Sequence, residues 1–290
     1  MEILSARELS KYLKINEKKI YKLAQEGVLP HVKIGGKVAF TRELIDRWIL
    51  ENTEHERHIL IAGSDDPLIR QVIDLYNARN EGLIYYAPVG SINGLKLLHS
   101  KSASMSCVHI LDMEKKTYTL SYIARYLSKS DYQAVQLFYR TQGLMIRKEN
   151  PKGIHGLKDL THKGITFINR NQGTGTRLLL DFLLRENSIS TSAIKGYNSE
   201  AASHMEAGIA VLKSEADAAF GIQYTAHILD LDFVPVYHER FDLVIPSDYF
   251  HMAQVKTFLK LFEQPALLHS IRDFTGYDLK DTGSVLKADT

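Results

Sequence analysis

The sequence predicts an α/β protein: a two-lobed domain built on two doubly wound sheets, preceded by a small helical module. Three observations predict it. From residue 58 onward, apolar runs of strand length alternate with stretches of helical period, the pattern of parallel strands covered by helices. That alternation restarts after Gly143, which argues for two similar lobes. The first fifty residues show no such alternation and carry two short amphipathic helices, a Gly35-Gly36 hairpin and a third helix.

At 290 residues, with 44% hydrophobic and 24% charged side chains, the chain has room for more than one folded core. Its formal charge of +2 excludes a polycation, so a nucleic-acid surface has to be a local patch. The first forty residues supply one, with Arg7, Lys11, Lys14, Lys18, Lys19, Lys22, Lys33 and Lys37 against Glu2, Glu8, Glu17 and Glu26. A single cysteine, Cys107, excludes an internal disulfide and a cysteine-rich metal site. The start MEILSARELS is charged from its second residue and lacks a long apolar stretch, so neither a signal peptide nor a membrane anchor is expected. A cytoplasmic protein with no membrane partner is the expectation.

Each element of the N-terminal module has a local cause. Ser5 with Glu8 three positions on is a capping box opening the helix ARELSKYL, whose Leu9, Tyr12 and Leu13 share one face. Asn16 then caps a second helix, EKKIYKLAQEG, with Ile20, Leu23 and Ala24 inward and Gly27 ending it. Two helices joined by so short a break have the layout of a helix-turn-helix, in which the second enters the major groove. The run VLPHVKIGGKVAFT reads as a hairpin wing flanked by Lys33 and Lys37. Thr41 precedes a third helix with Leu44, Ile45, Trp48 and Ile49 as its apolar stripe.

Through Leu4-Ser5, Leu13, Ile20-Tyr21, Gly27, Leu29-Pro30, Lys33-Ile34-Gly35, Phe40, Leu44 and Trp48, this module resembles the MerR-like or excisionase-type winged helix-turn-helix. Ala39 departs from the pattern, where arginine is usual. The resemblance implies that Asn16, Lys18, Lys19, Tyr21 and Lys22 face double-stranded DNA, with Lys33 and Lys37 on the wing. One copy spans only a few base pairs, so a homodimer on a two-fold operator is expected.

The polar interval NTEHER separates this module, residues 1–52, from the domain 58–290, with 53–57 as linker. Strands ILIAG, LIYYAPVG, SCVHILD and AVQLFYR then alternate with helices at Leu68 to Arg79, Gly94 to Ser100 and Ile123 to Leu127. The second lobe reads LMIRKEN, GITFINR, helices Thr176 to Asn187 and Ser203 to Leu212, and AAFGIQ. In such sheets a ligand binds beyond the carboxyl ends of the strands. Three turns there concentrate small polar residues: one at Ser64 and Asp65, one at Gly90 and Ser91, and one at Gly173, Thr174, Gly175, Thr176 and Arg177. Each can aim N–H and O–H donors from a helix N-terminus at an anion. GTGTR lacks the Lys-Ser/Thr pair of a P-loop and the third small residue of a dinucleotide fingerprint, so a small guest fits better than a nucleotide.

The run Asn169 to Arg177, with Leu179-Leu180-Asp181, Arg140 to Leu144, His109 to Asp112, Asn150-Pro151, EADAAFGI and LDFVPVYHERFDLVI, resembles the type II periplasmic-binding-protein fold. It is similar in particular to molybdate-binding-protein-like domains fused to helix-turn-helix modules. The resemblance implies chain crossings near Arg140 to Leu144 and Tyr237 to Asp242, giving lobe I as 58–142 plus 240–290 and lobe II as 143–239. It also implies a one-component transcription regulator whose effector is a small oxyanion, molybdate or tungstate first. Such dianions carry no proton at neutral pH, so donors alone suit them, whereas phosphate can use an acceptor; Asp65 and Asp66 are expected to cap a helix, and either side chain turned into the pocket would favour phosphate or an organic ligand. A small organic anion in the same architecture, or an oxyanion store or carrier, are the alternatives. No HExxH or GxSxG occurs and the histidines show no ligand spacing, so no catalytic residue, metal site or cofactor is expected.

Overall fold

A computed structural model describes residues 2–52, 58–79, 82–112, 117–118, 123–128, 131–264, 267 and 273–286. The expected linker 53–57 lies outside the described residues. The chain forms two compact units, Met1–Arg57 and His58–Thr290.

In the first unit, β1 (Ile3–Ser5), β3 (Lys37–Thr41) and β2 (Val32–Ile34) make an antiparallel sheet in the order β1-β3-β2. Helices α1 (Ala6–Leu13), α2 (Glu17–Gln25) and α3 (Arg42–Asn52) pack on it. The capping box forms as the spacing predicts: Glu8 N–H donates to Ser5 Oγ at 3.3 Å and Ser5 N–H to Glu8 Oε2 at 2.8 Å. Asn16 Oδ1 accepts from Lys18 N–H at 2.8 Å and starts α2. Leu4, Leu9, Ile20, Ala24, Leu29, Phe40 and Ile45 form the core. Two expected core positions are exposed. Leu44 is turned outward, and Tyr12 lies at the surface with its hydroxyl donating to Asp46 at 2.6 Å. The strand β1 was not apparent in the sequence, because three residues are too few to show a period.

The second unit holds one curled ten-stranded sheet. Its spine is two long strands, β9 (Tyr132–Ile146) and β13 (Asp232–Pro246), paired antiparallel along nearly their whole length. On one side follow β6 (Met105–Val108), β4 (Ile59–Gly63) and β5 (Ile84–Ala87), with β4 parallel to both neighbours. On the other side follow β12 (Ala218–Ile222), β10 (Phe167–Arg170) and β11 (Glu200–Ala201), with β10 parallel to both. The short pair β7 (Leu111–Asp112) and β8 (Thr117–Tyr118) stands apart, and β14 (Tyr277–Asp278) and β15 (Val285–Leu286) line β9. Helices α4 (Pro67–Asn77), α5 (Ser91–His99), α6 (Gly175–Glu186), α7 (His204–Leu212), α8 (Gln223–Ile228), α9 (Ser247–Phe250) and α10 (Ala253–Leu261) complete the described layers.

Two apolar clusters anchor the halves. Ile61, Leu68, Val72, Phe138, Phe241 and Phe258 belong to one; Leu144, Phe167, Leu180, Leu184 and Phe220 belong to the other. Gly143 looks like a break in the sequence, but β9 runs straight through it. A Cβ there would sit 2.1 Å from the Val234 carbonyl oxygen, so glycine is required by the approach of β13 and not by a turn. AVQLFYR and the first three residues of LMIRKEN therefore belong to one continuous strand that ends at Ile146.

Candidate anion site and nucleic-acid interface

A cavity of about 350 Å³ lies at the carboxyl ends of β4 and β10, bordered by the loops that lead into α4, α5, α6 and α7. Ser64, Asp65 and Gly90 border it from one half, and Thr174 and Thr176 from the other. The halves meet closely beside it. A Cβ on Gly90 would lie 3.6 Å from the Gly173 carbonyl oxygen, and one on Gly175 would lie 2.5 Å from His109 Cε1 and 2.5 Å from the His109 carbonyl oxygen. Only glycine lets the first turn of α6 come this near His109.

The donors are arranged by their neighbours. His109 N–H donates to Ser91 Oγ at 3.4 Å, and Ser91 and Ser64 share a short hydroxyl contact. Either hydroxyl of that pair can donate to the other, and when Ser91 donates, the Ser64 proton is left for the cavity. Ser91 is thus buried behind the wall and supports Ser64. The Thr174 hydroxyl is occupied, donating to the Asn171 carbonyl at 2.8 Å and accepting from Arg177 N–H at 3.3 Å. Thr176 Oγ1 accepts from Gln142 Nε2 at 3.1 Å. The N–H groups of Gly175 and Thr176 open α6 and have no intrahelical acceptor.

Arg177 does not border the cavity. Its guanidinium binds Asp181 at 3.0 Å and Glu200 at 3.4 Å, lies 4.4 Å over the Tyr197 ring, and donates to the Arg170 carbonyl at 3.3 Å. It therefore braces the end of β10. The arginine at the cavity is Arg170, buried, with Nε donating to Ala201 O at 3.2 Å and Nη2 to Ala202 O at 3.0 Å. Its Nη1 is buried without a hydrogen-bond partner among the described residues. Burial lowers its pKa to about 10, and among the charges that oppose this Asp65 contributes most. Asp65, expected to cap a helix, instead borders the cavity and pairs with Arg70 at 3.0 Å. Asp66 caps α4, accepting from Leu68 N–H at 2.8 Å and Ile69 N–H at 3.2 Å.

Two histidines also border the cavity, His109 just beyond β6 and His204 at the first position of α7. Both are buried. Burial pushes His204 well below its ordinary pKa, helped by the positive charges of Arg170 and Arg140. Scattered spacing in the sequence hid both; the readable signal was their place just past a strand end and just after the Ser203 cap. Arg170 had the same signal as the last residue of its strand.

Behind the cavity a buried polar network ties the spine to both halves. Arg140 Nη1 donates to Asp66 Oδ2 at 2.6 Å and Nε to Glu239 Oε1 at 2.5 Å. Glu239 also accepts from Gln142 Nε2 at 2.6 Å and lies 2.8 Å from His109 Nδ1. Tyr277 OH donates to Asp66 Oδ2 at 2.7 Å. Burial alone would raise the Glu239 pKa, but Arg140 and His109 outweigh it and hold the carboxyl at about 2. Gln142 links this network directly to Thr176 at the cavity wall.

In the first unit, Lys18, Lys19, Tyr21 and Lys22 stand exposed on α2, and Lys33 and Lys37 stand exposed on the hairpin. Lys22 pairs with Glu26 at 3.7 Å, a solvent-exposed contact of little energetic weight. Asn16 contributes the cap of α2, which fixes where these side chains start.

Residues 73–263 match the family model described as a PBP superfamily domain, and residues 3–53 match that of a helix-turn-helix domain. The chain belongs to the PBP superfamily and joins a DNA-binding helix-turn-helix to a ligand-binding domain of that fold. It is 27% identical to the uncharacterized protein YvgK of Bacillus subtilis (strain 168), over 96% of each chain. Among solved structures it is similar to a tungstate ABC transporter protein of Geobacter sulfurreducens, with a TM-score of 0.54 and 16% identity over 76% of this chain and 100% of that one. It is likewise similar to an ABC-type phosphate transport receptor of Vibrio cholerae, with a TM-score of 0.53 and 16% identity over 77% and 99%. At such identities the structural likenesses establish the fold alone. Among the described residues, no helix is long and apolar enough to cross a membrane.

Proposed function

We propose that this chain is a transcription regulator whose PBP-type domain senses a small oxyanion, molybdate or tungstate first, and whose helix-turn-helix reads operator DNA as a homodimer. The observation that carries the reading is Arg170: a buried guanidinium with one nitrogen unpartnered among the described residues, bordering a cavity that also receives the N-terminus of α6. A buried cation without a directly paired carboxylate is costly, and a bound anion lowers that cost. Ser64, Thr176 and the α6 N–H groups supply uncharged donors suited to a tetrahedral dianion. Such a guest touches both halves, so it favours the closed arrangement, which is the condition for coupling to DNA.

The test is calorimetry of the full chain with molybdate, tungstate, sulfate, phosphate and small carboxylates, followed by operator binding with and without the tightest anion. Saturable heat with an oxyanion and a shift in DNA affinity are expected. Absence of heat with every oxyanion contradicts the proposal. One observation favours a second reading, a small organic anion: about 350 Å³ falls within the range of small-molecule pockets and leaves room beside the charged group. Heat only with the carboxylates would select it.

A further inference from the structure

The anion reading above leaves His109 without a role, yet its surroundings define one. Nδ1 lies 2.8 Å from the Glu239 carboxylate, so Nδ1 carries a proton in both states of the ring. The ring stacks on Phe241 with centroids 5.6 Å apart, which fixes its plane. The residue borders the cavity, and Nε2 makes no hydrogen bond to any described residue. With the ring neutral, that nitrogen is an acceptor beside a cavity bordered by the donors Arg170, Ser64 and Thr176 and by one carboxylate, Asp65.

We infer that His109 is the proton-linked contact of the site: an oxyanion binding there takes up one proton from solvent onto His109 Nε2, and the resulting imidazolium donates to the anion. The inference rests on the proposed oxyanion site and adds a binding residue and a linkage to it. The proton is supplied by the buffer acid, which becomes its conjugate base, and no other bond changes. The charged groups around the ring decide the direction. Glu239 on β13, Asp66 before α4 and Asp65 at the cavity border favour the imidazolium; Arg140 on β9, Arg170 at the end of β10 and the positive end of α6 oppose it. His204 on α7 is held neutral. Burial dominates in the empty state and lowers the His109 pKa below its ordinary value, so the ring is neutral there. A dianion beside Nε2 adds two negative charges at hydrogen-bond distance and reverses that balance.

The experiment is calorimetry of the full chain with sodium tungstate and with sodium sulfate at pH 7, in several buffers of different ionisation enthalpy. These probes carry no titrating proton of their own at that pH. The observed heat should vary with the buffer enthalpy with a slope near one proton taken up, and affinity should fall about tenfold per pH unit on going alkaline. His109→Gln, which retains an amide donor, should bind with affinity independent of pH and with no proton uptake. Its melting curve shows whether it folds, and the wild-type buffer dependence stands without it. Binding of the wild type with no dependence on buffer overturns the inference and leaves the oxyanion site intact, as does uptake that persists in His109→Gln. Absence of binding by either anion removes both.

Discussion

Replacing Arg170 by glutamine separates stability from ligand binding in opposite directions. In the unliganded protein the guanidinium is hydrogen-bonded to two backbone carbonyls, and burial outweighs the opposing charges of Asp65 and Glu206, so its pKa falls from the usual 12.5 to about 10. At roughly 1.4 kcal/mol per pH unit, holding the charge there costs about 3 kcal/mol at neutral pH. Because the folded pKa is the lower one, this cost is fully present below pH 10. Glutamine removes it while leaving about one carbonyl without a donor, at about 1 kcal/mol. The variant should gain about 2 kcal/mol, which for a domain of this size raises Tm by about 4 to 8 °C. The same change removes the charged contact to the anion, and loss of such a contact costs about 2 to 5 kcal/mol, or roughly thirtyfold or more in Kd. Differential scanning calorimetry without anion and titration calorimetry with tungstate read the two effects. A lower Tm for the empty variant, or an unchanged Kd, refutes the reasoning that Arg170 is a buried cation kept for a ligand.

Other perturbations address other links. Gly175→Ala places a Cβ 2.5 Å from the His109 carbonyl oxygen and should cost about 1 to 3 kcal/mol with weaker anion binding; unchanged melting and affinity would show that the halves do not close on this glycine. Glu239→Gln should destabilise by about 3 kcal/mol at pH 7, since one partner of a buried ion pair is lost. The Glu239 carboxyl is held at about 2, so its contribution is complete above its unfolded pKa of about 4.5 and is lost as pH falls toward 2. Urea denaturation at pH 7 and pH 3 should therefore show the gap between variant and wild type narrowing in acid. Lys22→Ala should lower operator affinity and reduce the slope of log K against log salt by about one; an unaltered slope would take that lysine off the DNA.

How much of this was legible depends on the range of the cause. Caps and turns are local, and Ser5, Glu8 and Asn16 could be assigned because the partners lie within three residues. The strand ends that border the cavity were legible for the same reason, as Ser64, Gly90, Thr174 and Thr176 sit where strands turn into helices. Arg177 and Arg170 show the limit. Both flank the same turn, and only the packing of Asp181, Tyr197 and Glu200 around Arg177 draws one guanidinium away and leaves the other at the cavity. Gly143 shows it again, since a close approach by a strand ninety positions later reads in the sequence like a break. His109 and Glu239 are 130 residues apart, and no spacing rule joins them.

The central claim is that the cavity holding Arg170, Thr176 and the start of α6 is where an oxyanion binds. Crystals of the full chain soaked in tungstate and measured at the tungsten absorption edge test it most directly. An anomalous peak in this cavity, placed so that the anion's oxygens come within hydrogen-bond reach of Arg170 Nη1 and the Gly175 or Thr176 N–H, is the result this structure predicts. A peak elsewhere on the molecule with the cavity holding only solvent would contradict it.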